Sequence, residues 1–99
     1  MKIPSKITVG GQTLKVELLE SIEGSKLGKC CVAGGWIKIA EAFDGIKQSD
    51  SSKMNTFMHE LVHAICDTMG RGDLSANEVF VNSFAGFLTE AYYSAEYKE

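Results

Sequence analysis

The sequence predicts an α+β fold, in which a small antiparallel sheet is followed by two helices. Residues 6–40 alternate apolar and polar side chains with the period of strands, whereas residues after the Asp44–Ser52 stretch repeat apolar side chains at helical spacing. The 99 residues suffice for one modest core. We therefore expect a single domain, 1–99.

Four strands arranged as two hairpins are predicted: Lys6–Val9 with Gln12–Leu19, and Lys29–Ala33 with Trp36–Ala40. Gly10-Gly11 and Gly34-Gly35 are two-residue links of the kind that form tight hairpin turns. In the last strand, Ile37 and Ile39 alternate with polar or amphipathic neighbours, so we expect both to face the core.

Two helices are predicted after the polar Asp44–Ser52 segment, which is typical of a loop. The first is expected to begin near Ser51 or Ser52, either of which can cap it, and to end at Gly70. The second is expected from about Ser75 to Tyr97. Its predicted apolar face consists of Val79, Phe80, Phe84, Phe87, Leu88, Ala91 and Ala95.

The first helix carries the only two histidines of the chain, in the string His59-Glu60-Leu61-Val62-His63. Histidines four apart lie on one helix face, where two imidazole nitrogens can converge on one metal ion, most often zinc. Glu60 lies beside them, where a carboxylate can accept a proton from water. The alternative is a pair of core histidines bonded to backbone groups. A buried polar trio needs partners, however, and a metal supplies them.

A catalytic zinc usually has three protein ligands, so a third donor is expected. Asp67 is about 12 Å along the helix from His59, too far for one shared ion. Glu78 is favoured, because a helix–link–helix layout folds it back over the motif. Asp73, in the link, stays open as the alternative, and Glu78 would instead serve as a cap if Ser75-Ala76-Asn77-Glu78 formed a capping box.

The segment Glu78–Ala85 resembles the E-x-x-x-[N/D]-x-F-A helix of small glutamate-zincins. Together with the H-E-x-x-H string, it resembles the compact minigluzincin peptidases and the related ImmA/IrrE-type proteins of phages and mobile elements. The resemblance implies a zincin-like fold in which His59, His63 and Glu78 hold zinc and Glu60 is the general base. It further implies that Asn82 orients a ligand, and that Trp36–Ala40 is an edge strand to which a peptide substrate adds.

Composition argues against nucleic-acid binding, a membrane span and a disulfide-linked fold. The net charge of −3 and the lack of a basic stretch argue against nucleic-acid binding. No apolar run reaches the length of a membrane span, and the N-terminal residues lack the apolar stretch of a secretory signal, so we expect a cytoplasmic protein. Three cysteines without C-x-x-C spacing argue against a disulfide framework.

The sequence thus predicts zinc-dependent hydrolysis of a peptide or protein substrate. A zinc-stabilised module that cuts nothing, and recognises a partner protein through its edge strand, is the alternative. The oligomeric state and the group that stabilises the oxyanion leave no readable trace in the sequence.

Overall fold

The computed structural model describes residues 2–24 and 26–98, and within them the α+β class is confirmed. In chain order the elements are β1 (Lys6–Val9), β2 (Gln12–Leu19), β3 (Gly28–Cys31), β4 (Trp36–Ala40), β5 (Ala42–Phe43), β6 (Ile46–Lys47), α1 (Asp50–Thr68), α2 (Gly72–Ser75) and α3 (Glu78–Ser94). The main sheet has four strands, and β5 with β6 forms a separate two-stranded hairpin.

The main sheet has the order β1-β2-β4-β3, and it is mixed rather than wholly antiparallel as predicted. Both predicted strand pairs form, the first around Gly10 and Gly11, whose positive φ angles of 57° and 83° suit a tight turn. In the second, the strand is Gly28–Cys31 instead of Lys29–Ala33, so residues 32–35 form the connection and not Gly34-Gly35 alone. The two hairpins join through β2 and β4, which run parallel with Val16 opposite Ile37. Sequence periodicity does not distinguish the two pairings, because both place the same side chains inward.

The prediction that Trp36–Ala40 is an edge strand is wrong. This strand is β4, which is hydrogen-bonded on both sides, to β2 and to β3. Ile37 and Ile39 are fully buried as predicted, and a central position covers this most apolar strand best. The sheet has β1 at one edge and β3 at the other, next to β4, and β3 lies against α1.

Helix α1 lies between the sheet and α3. One side of it packs Met54, Phe57 and Ala64 on the sheet, and the other packs Val62 and Cys66 on α3. Burial on both sides explains why the helix is apolar over more than one face.

The ends of α1 follow capping chemistry, although the start lies earlier than predicted. Ser49, not Ser51 or Ser52, is the cap, and its Oγ accepts a hydrogen bond from the Ser52 backbone N–H at 3.1 Å. The end is as predicted: Gly70 has φ 74° and its N–H bonds to Asp67, while the Arg71 N–H bonds to Cys66. These two bonds form a Schellman motif.

The predicted Asp44–Ser52 loop holds more structure than expected. Asp44 and Gly45, both with positive φ, turn the chain between β5 and β6. An Asp-Gly pair is a recognised hairpin signal. The turn brings Phe43 towards the N-terminal half of α1.

The second predicted helix is divided. A short α2 precedes α3, which begins at Glu78 rather than Ser75 and is capped by Asn77, whose Oδ1 accepts from the Phe80 N–H at 3.1 Å. Neither Ser75 nor Asp73 caps α3. The predicted apolar face is also largely wrong, since α3 packs on α1 through Val81, Ala85 and Thr89. These smaller side chains allow close approach. Of the predicted face, Phe80 and Leu88 pack at the margin of this contact, whereas Phe84 and Phe87 are exposed.

Among the described residues, no helix combines the length and apolar character needed to cross a bilayer.

Candidate metal centre

Three elements meet at the motif: the middle of α1, the edge strand β3 and the N-terminus of α3. His59 and His63, one turn apart on α1, point their Nε2 atoms at each other across 3.2 Å. Glu60 projects from the same turn towards β3 and is only 7% exposed. Glu78, the first residue of α3, reaches back over the two histidines.

The Glu78 carboxylate lies next to the Nε2 atoms of both histidines. Its Oε1 lies 3.2 Å from His63 Nε2, and its Oε2 lies 3.4 Å from His59 Nε2. The structure therefore brings together the three residues that the sequence predicts as ligands. Asp73 lies apart from them, because Arg71 holds its carboxylate through two hydrogen bonds of 2.9 and 3.0 Å.

The spacing of the donor atoms suits zinc. A tetrahedral ion with bonds of about 2.0–2.1 Å has ligand atoms about 3.3–3.4 Å apart. The two Nε2 atoms are 3.2 Å apart, and the nitrogens of His63 and His59 lie 3.2 and 3.4 Å from different oxygens of the Glu78 carboxylate. Two imidazoles and one carboxylate are also a common donor set for a zinc site that keeps one position open. That these residues ligate zinc stays a prediction.

Each histidine has a neighbour that fixes its ring. Ser75 Oγ lies 3.1 Å from His63 Nδ1, so a metal bound at Nε2 would leave the proton on Nδ1, which would then donate to the serine. The Asn82 side chain lies beside His59 on the wall of the same cavity. Burial and the neighbouring His63 lower the pKa of His59, against smaller opposing effects of Glu78 and Asn82, which keeps the ring neutral as a metal ligand requires.

Glu60 sits in an environment suited to a base. Burial raises the pKa of its carboxyl, an effect partly offset by His63 and by a hydrogen bond with the Cys30 thiol. Burial and the nearby Glu60 in turn raise the pKa of Cys30 to about 12, so the thiol stays protonated and donates to the carboxylate. A base whose pKa approaches the working pH transfers protons most effectively.

The close approach of β3 to α1 depends on Gly28. A Cβ at this position would lie 2.7 Å from Thr56 Cγ2 and 3.2 Å from Glu60 Cγ. A side chain would therefore push the edge strand away from the base. The same approach aligns Cys30 with Glu60.

Two adjoining cavities open beside Glu60. One of about 430 Å³ is lined by Leu27, Phe43 and Asn82, and one of about 370 Å³ includes both histidines and Cys30. Lys26 borders both, and its ammonium faces Glu60 closely enough to lower the pKa of that carboxyl slightly. Asp67 stays on the exposed rim of the second cavity.

Three residues of this site are missed by the sequence prediction. The sequence marks Ser75 only as a possible helix cap. Lys26 precedes β3 and Cys30 lies on it, and no spacing connects either residue to the motif. Cys66, in contrast, is buried as a small apolar residue, as expected, and all three cysteines are free thiols.

No protein-family model, no curated protein and no solved structure matches this chain.

Proposed function

We propose that this protein is a zinc-dependent peptidase with a zincin-like site, in which Glu60 is the general base and His59, His63 and Glu78 hold the metal. The observation that carries the proposal is the convergence of two histidine nitrogens and the Glu78 carboxylate, with contacts of 3.2–3.4 Å, next to a buried carboxylate that borders an open cavity. A cytoplasmic peptide or protein is the substrate we infer.

A zinc ion held there supplies Lewis acidity, which acidifies water and polarises the carbonyl of the bond to be cut. Glu60 takes a proton from the attacking water at its carboxylate and passes it to the leaving nitrogen. Cys30 holds the carboxylate in place through its S–H. Lys26 adds positive charge at the mouth of the cleft, where it favours the developing oxyanion.

Substrate binding is assigned to β3 instead of Trp36–Ala40. Within the described part of the chain, β3 pairs with β4 only, so the backbone groups of its outer edge are open to an extended peptide. Gly28, Lys29 and Cys30 of this strand border the cavity that holds the histidines. A peptide paired with β3 would thus pass Glu60.

The first test is the zinc content of the purified chain, with Glu78→Ala beside it. We expect about one zinc per native chain and a marked loss in Glu78→Ala. Glu90→Ala, which removes an exposed carboxylate from the same helix, is the matched control and should keep its zinc. Native protein that takes up no zinc when supplied with it would refute the metal site.

The second test separates the peptidase from the zinc-stabilised binding module. Glu60→Gln should keep the fold and the zinc but lose cleavage of a mixed peptide library, followed by mass spectrometry. If the native protein binds zinc and cleaves nothing, or if Glu60→Gln cleaves as fast as native protein, the peptidase proposal fails. Retained zinc without cleavage would favour the binding module.

A further inference from the structure

We propose that the site selects acidic substrates, in which an aspartate or glutamate of the bound peptide lies against Lys29 of β3. The inference rests on the proposed function, because it takes the outer edge of β3 as the place where the peptide adds. On one face of the sheet, the side chains that the peptide would meet at this edge are basic.

The pleat of β3 determines which peptide side chain meets Lys29. Gly28 and Cys30 face α1 and the core, so Lys29 between them points to the opposite face of the sheet. Residues directly opposite each other on paired strands share a face, with Cβ atoms about 4.5–5.5 Å apart. A peptide residue opposite Lys29 would therefore lie beside the lysine, and its two neighbours in the peptide would face the cleft that holds Glu60.

Lys29 ends a row of charged residues that crosses the sheet. Glu17 on β2 lies opposite Lys38 on β4, and Lys38 lies opposite Lys29. The row thus has one negative charge followed by two positive ones. Like charges directly opposite each other destabilise a sheet. An acidic residue in the next position, on a strand added to β3, would give the row two charges of each sign.

Trp36 holds the two lysines on this face. The ammonium nitrogens of Lys38 and Lys29 lie 4.2 and 5.7 Å from the centroid of the indole ring, which is a cation–π arrangement. Among residues 2–24 and 26–98, neither lysine has a carboxylate within ion-pair distance. The protein therefore positions the pair and leaves the positive charge of Lys29 available to a ligand.

The charge of the adjoining cavity also favours an acidic peptide. The cavity that contains the histidines is lined by Lys26 and Lys29, and its acidic residues are Glu60, Asp67 and Glu78. The two positive charges of the proposed zinc would offset those of Glu60 and Glu78, which leaves two lysines against Asp67. An acidic peptide would then be attracted to the cleft and a basic one repelled.

The test is cleavage, by the zinc-loaded protein, of a peptide library that varies one position at a time. We expect one position within a few residues of the cut bond to favour Asp or Glu. The preference should be about two- to fivefold over alanine, the usual effect of opposite charges on paired strands, and larger over lysine. Lys29→Glu should reverse the preference at that position, so that lysine is favoured.

Lys6→Glu is the matched control, because it makes the same change of charge on the same face of the sheet. Lys6 lies on β1, at the edge opposite β3. Three strand spacings of about 4.8 Å place it about 14 Å or more from Lys29, beyond the screening length of about 8 Å. This variant should keep the native preference.

Binding gives a second measurement that does not need cleavage. Zinc-loaded Glu60→Gln should bind a dye-labelled acidic peptide about two- to fivefold more tightly than the same peptide with alanine in place of the acid, as measured by fluorescence anisotropy. Adding Lys29→Glu should remove this difference. The emission of Trp36, the only tryptophan of the chain, should change when the acidic peptide draws Lys29 away from its ring.

The outcomes separate this inference from the function on which it rests. A native protein that cleaves the library without favouring acidic residues would overturn the acidic selectivity and leave the peptidase standing. A Lys29→Glu variant that folds by circular dichroism and keeps the native preference would do the same. Cleavage of nothing refutes the peptidase, and the binding measurement then decides. Tighter binding of the acidic peptide through Lys29 would keep the recognition in a binding module, whereas equal binding of both peptides would overturn it.

Discussion

At the scale of single residues, Ser75 is expected to set the zinc affinity through His63. Its hydroxyl lies 3.1 Å from Nδ1 and would accept from this nitrogen when a metal is bound at Nε2. Ser75→Ala should lower the zinc affinity by about 10–100-fold, the usual effect of removing such a partner. Competition with a chelating dye measures it. Ser94→Ala, an exposed serine at the end of α3, is the control. Equal affinities for both variants would show that the serine does not support the site.

Cys30 is expected to react slowly with alkylating agents, because its pKa of about 12 leaves roughly one thiol in a thousand ionised at pH 9. Peptide mapping after iodoacetamide treatment should show labelling of Cys30 only slowly in folded protein and readily in urea. Glu60→Gln removes one charge that raises this pKa, so it should speed the labelling, although burial is the larger cause. No change of rate in Glu60→Gln would mean that the thiol and the carboxylate do not interact.

The raised pKa of Cys30 is expected to make the stability of the fold depend on pH. A thiol pKa raised in the folded state favours folding below the unfolded value of about 9, and this contribution is lost as the pH rises towards 12. Replacing Cys30 by Ser, with its non-titrating hydroxyl, should flatten the loss of stability above pH 9 in urea titrations. An unchanged profile would assign the alkaline loss to other groups.

The sequence predicted those residues of the candidate site whose relative positions are fixed by a single helix. His59, Glu60 and His63 share a face because four residues make about one turn. Glu78 was found by the need for a third donor. Cys30, Lys26 and Ser75 could not be found in this way, because their positions depend on how β3 and α2 pack on α1.

At the scale of elements, the β3–α1 contact is expected to be sensitive to one added methyl group. Gly28→Ala places a Cβ 2.7 Å from Thr56 Cγ2 and 3.2 Å from the Lys38 carbonyl oxygen. Displacing the strand should cost about 1–3 kcal/mol of unfolding free energy and lower any cleavage activity. Urea unfolding measures the first effect.

Gly86→Ala is the control, because an added Cβ meets nothing within 4 Å. It lies inside α3, so it should stabilise the protein by up to about 1 kcal/mol through helix propensity. If Gly28→Ala is no less stable than native, the strand tolerates the added group and β3 is not held tightly against Thr56.

Local sequence patterns predicted the bounds of the elements better than they predicted which elements lie next to each other. Strands β1, β2 and β4 and the end of α1 have the predicted bounds, since alternation and glycine caps are local signals. The place of Trp36–Ala40 in the sheet is not local, because an edge strand and a central strand of this length alternate alike. The apolar face of α3 failed for a related reason: small residues packed best on α1, and apolar periodicity alone does not rank faces.

At the scale of the whole molecule, the proposed zinc would add a link between α1 and α3, which pack together through smaller side chains than α1 and the sheet do. The sheet and α1 share a core of large side chains, whereas α3 meets α1 mainly through Val81, Ala85 and their neighbours. Glu78 contacts His59 and His63 at one end of α3, and an ion shared by the three residues would strengthen this link. Metal binding should therefore stabilise α3 more than it stabilises the sheet.

Hydrogen exchange followed by mass spectrometry tests this difference. Chelation should speed exchange in peptides from α2 and α3, while peptides from β2 and β4 keep their protection. Glu78→Ala should exchange like chelated native protein whether or not zinc is present. Uniform loss of protection in all elements would instead mean that zinc acts on global stability, and that α3 is already part of one cooperative core without it.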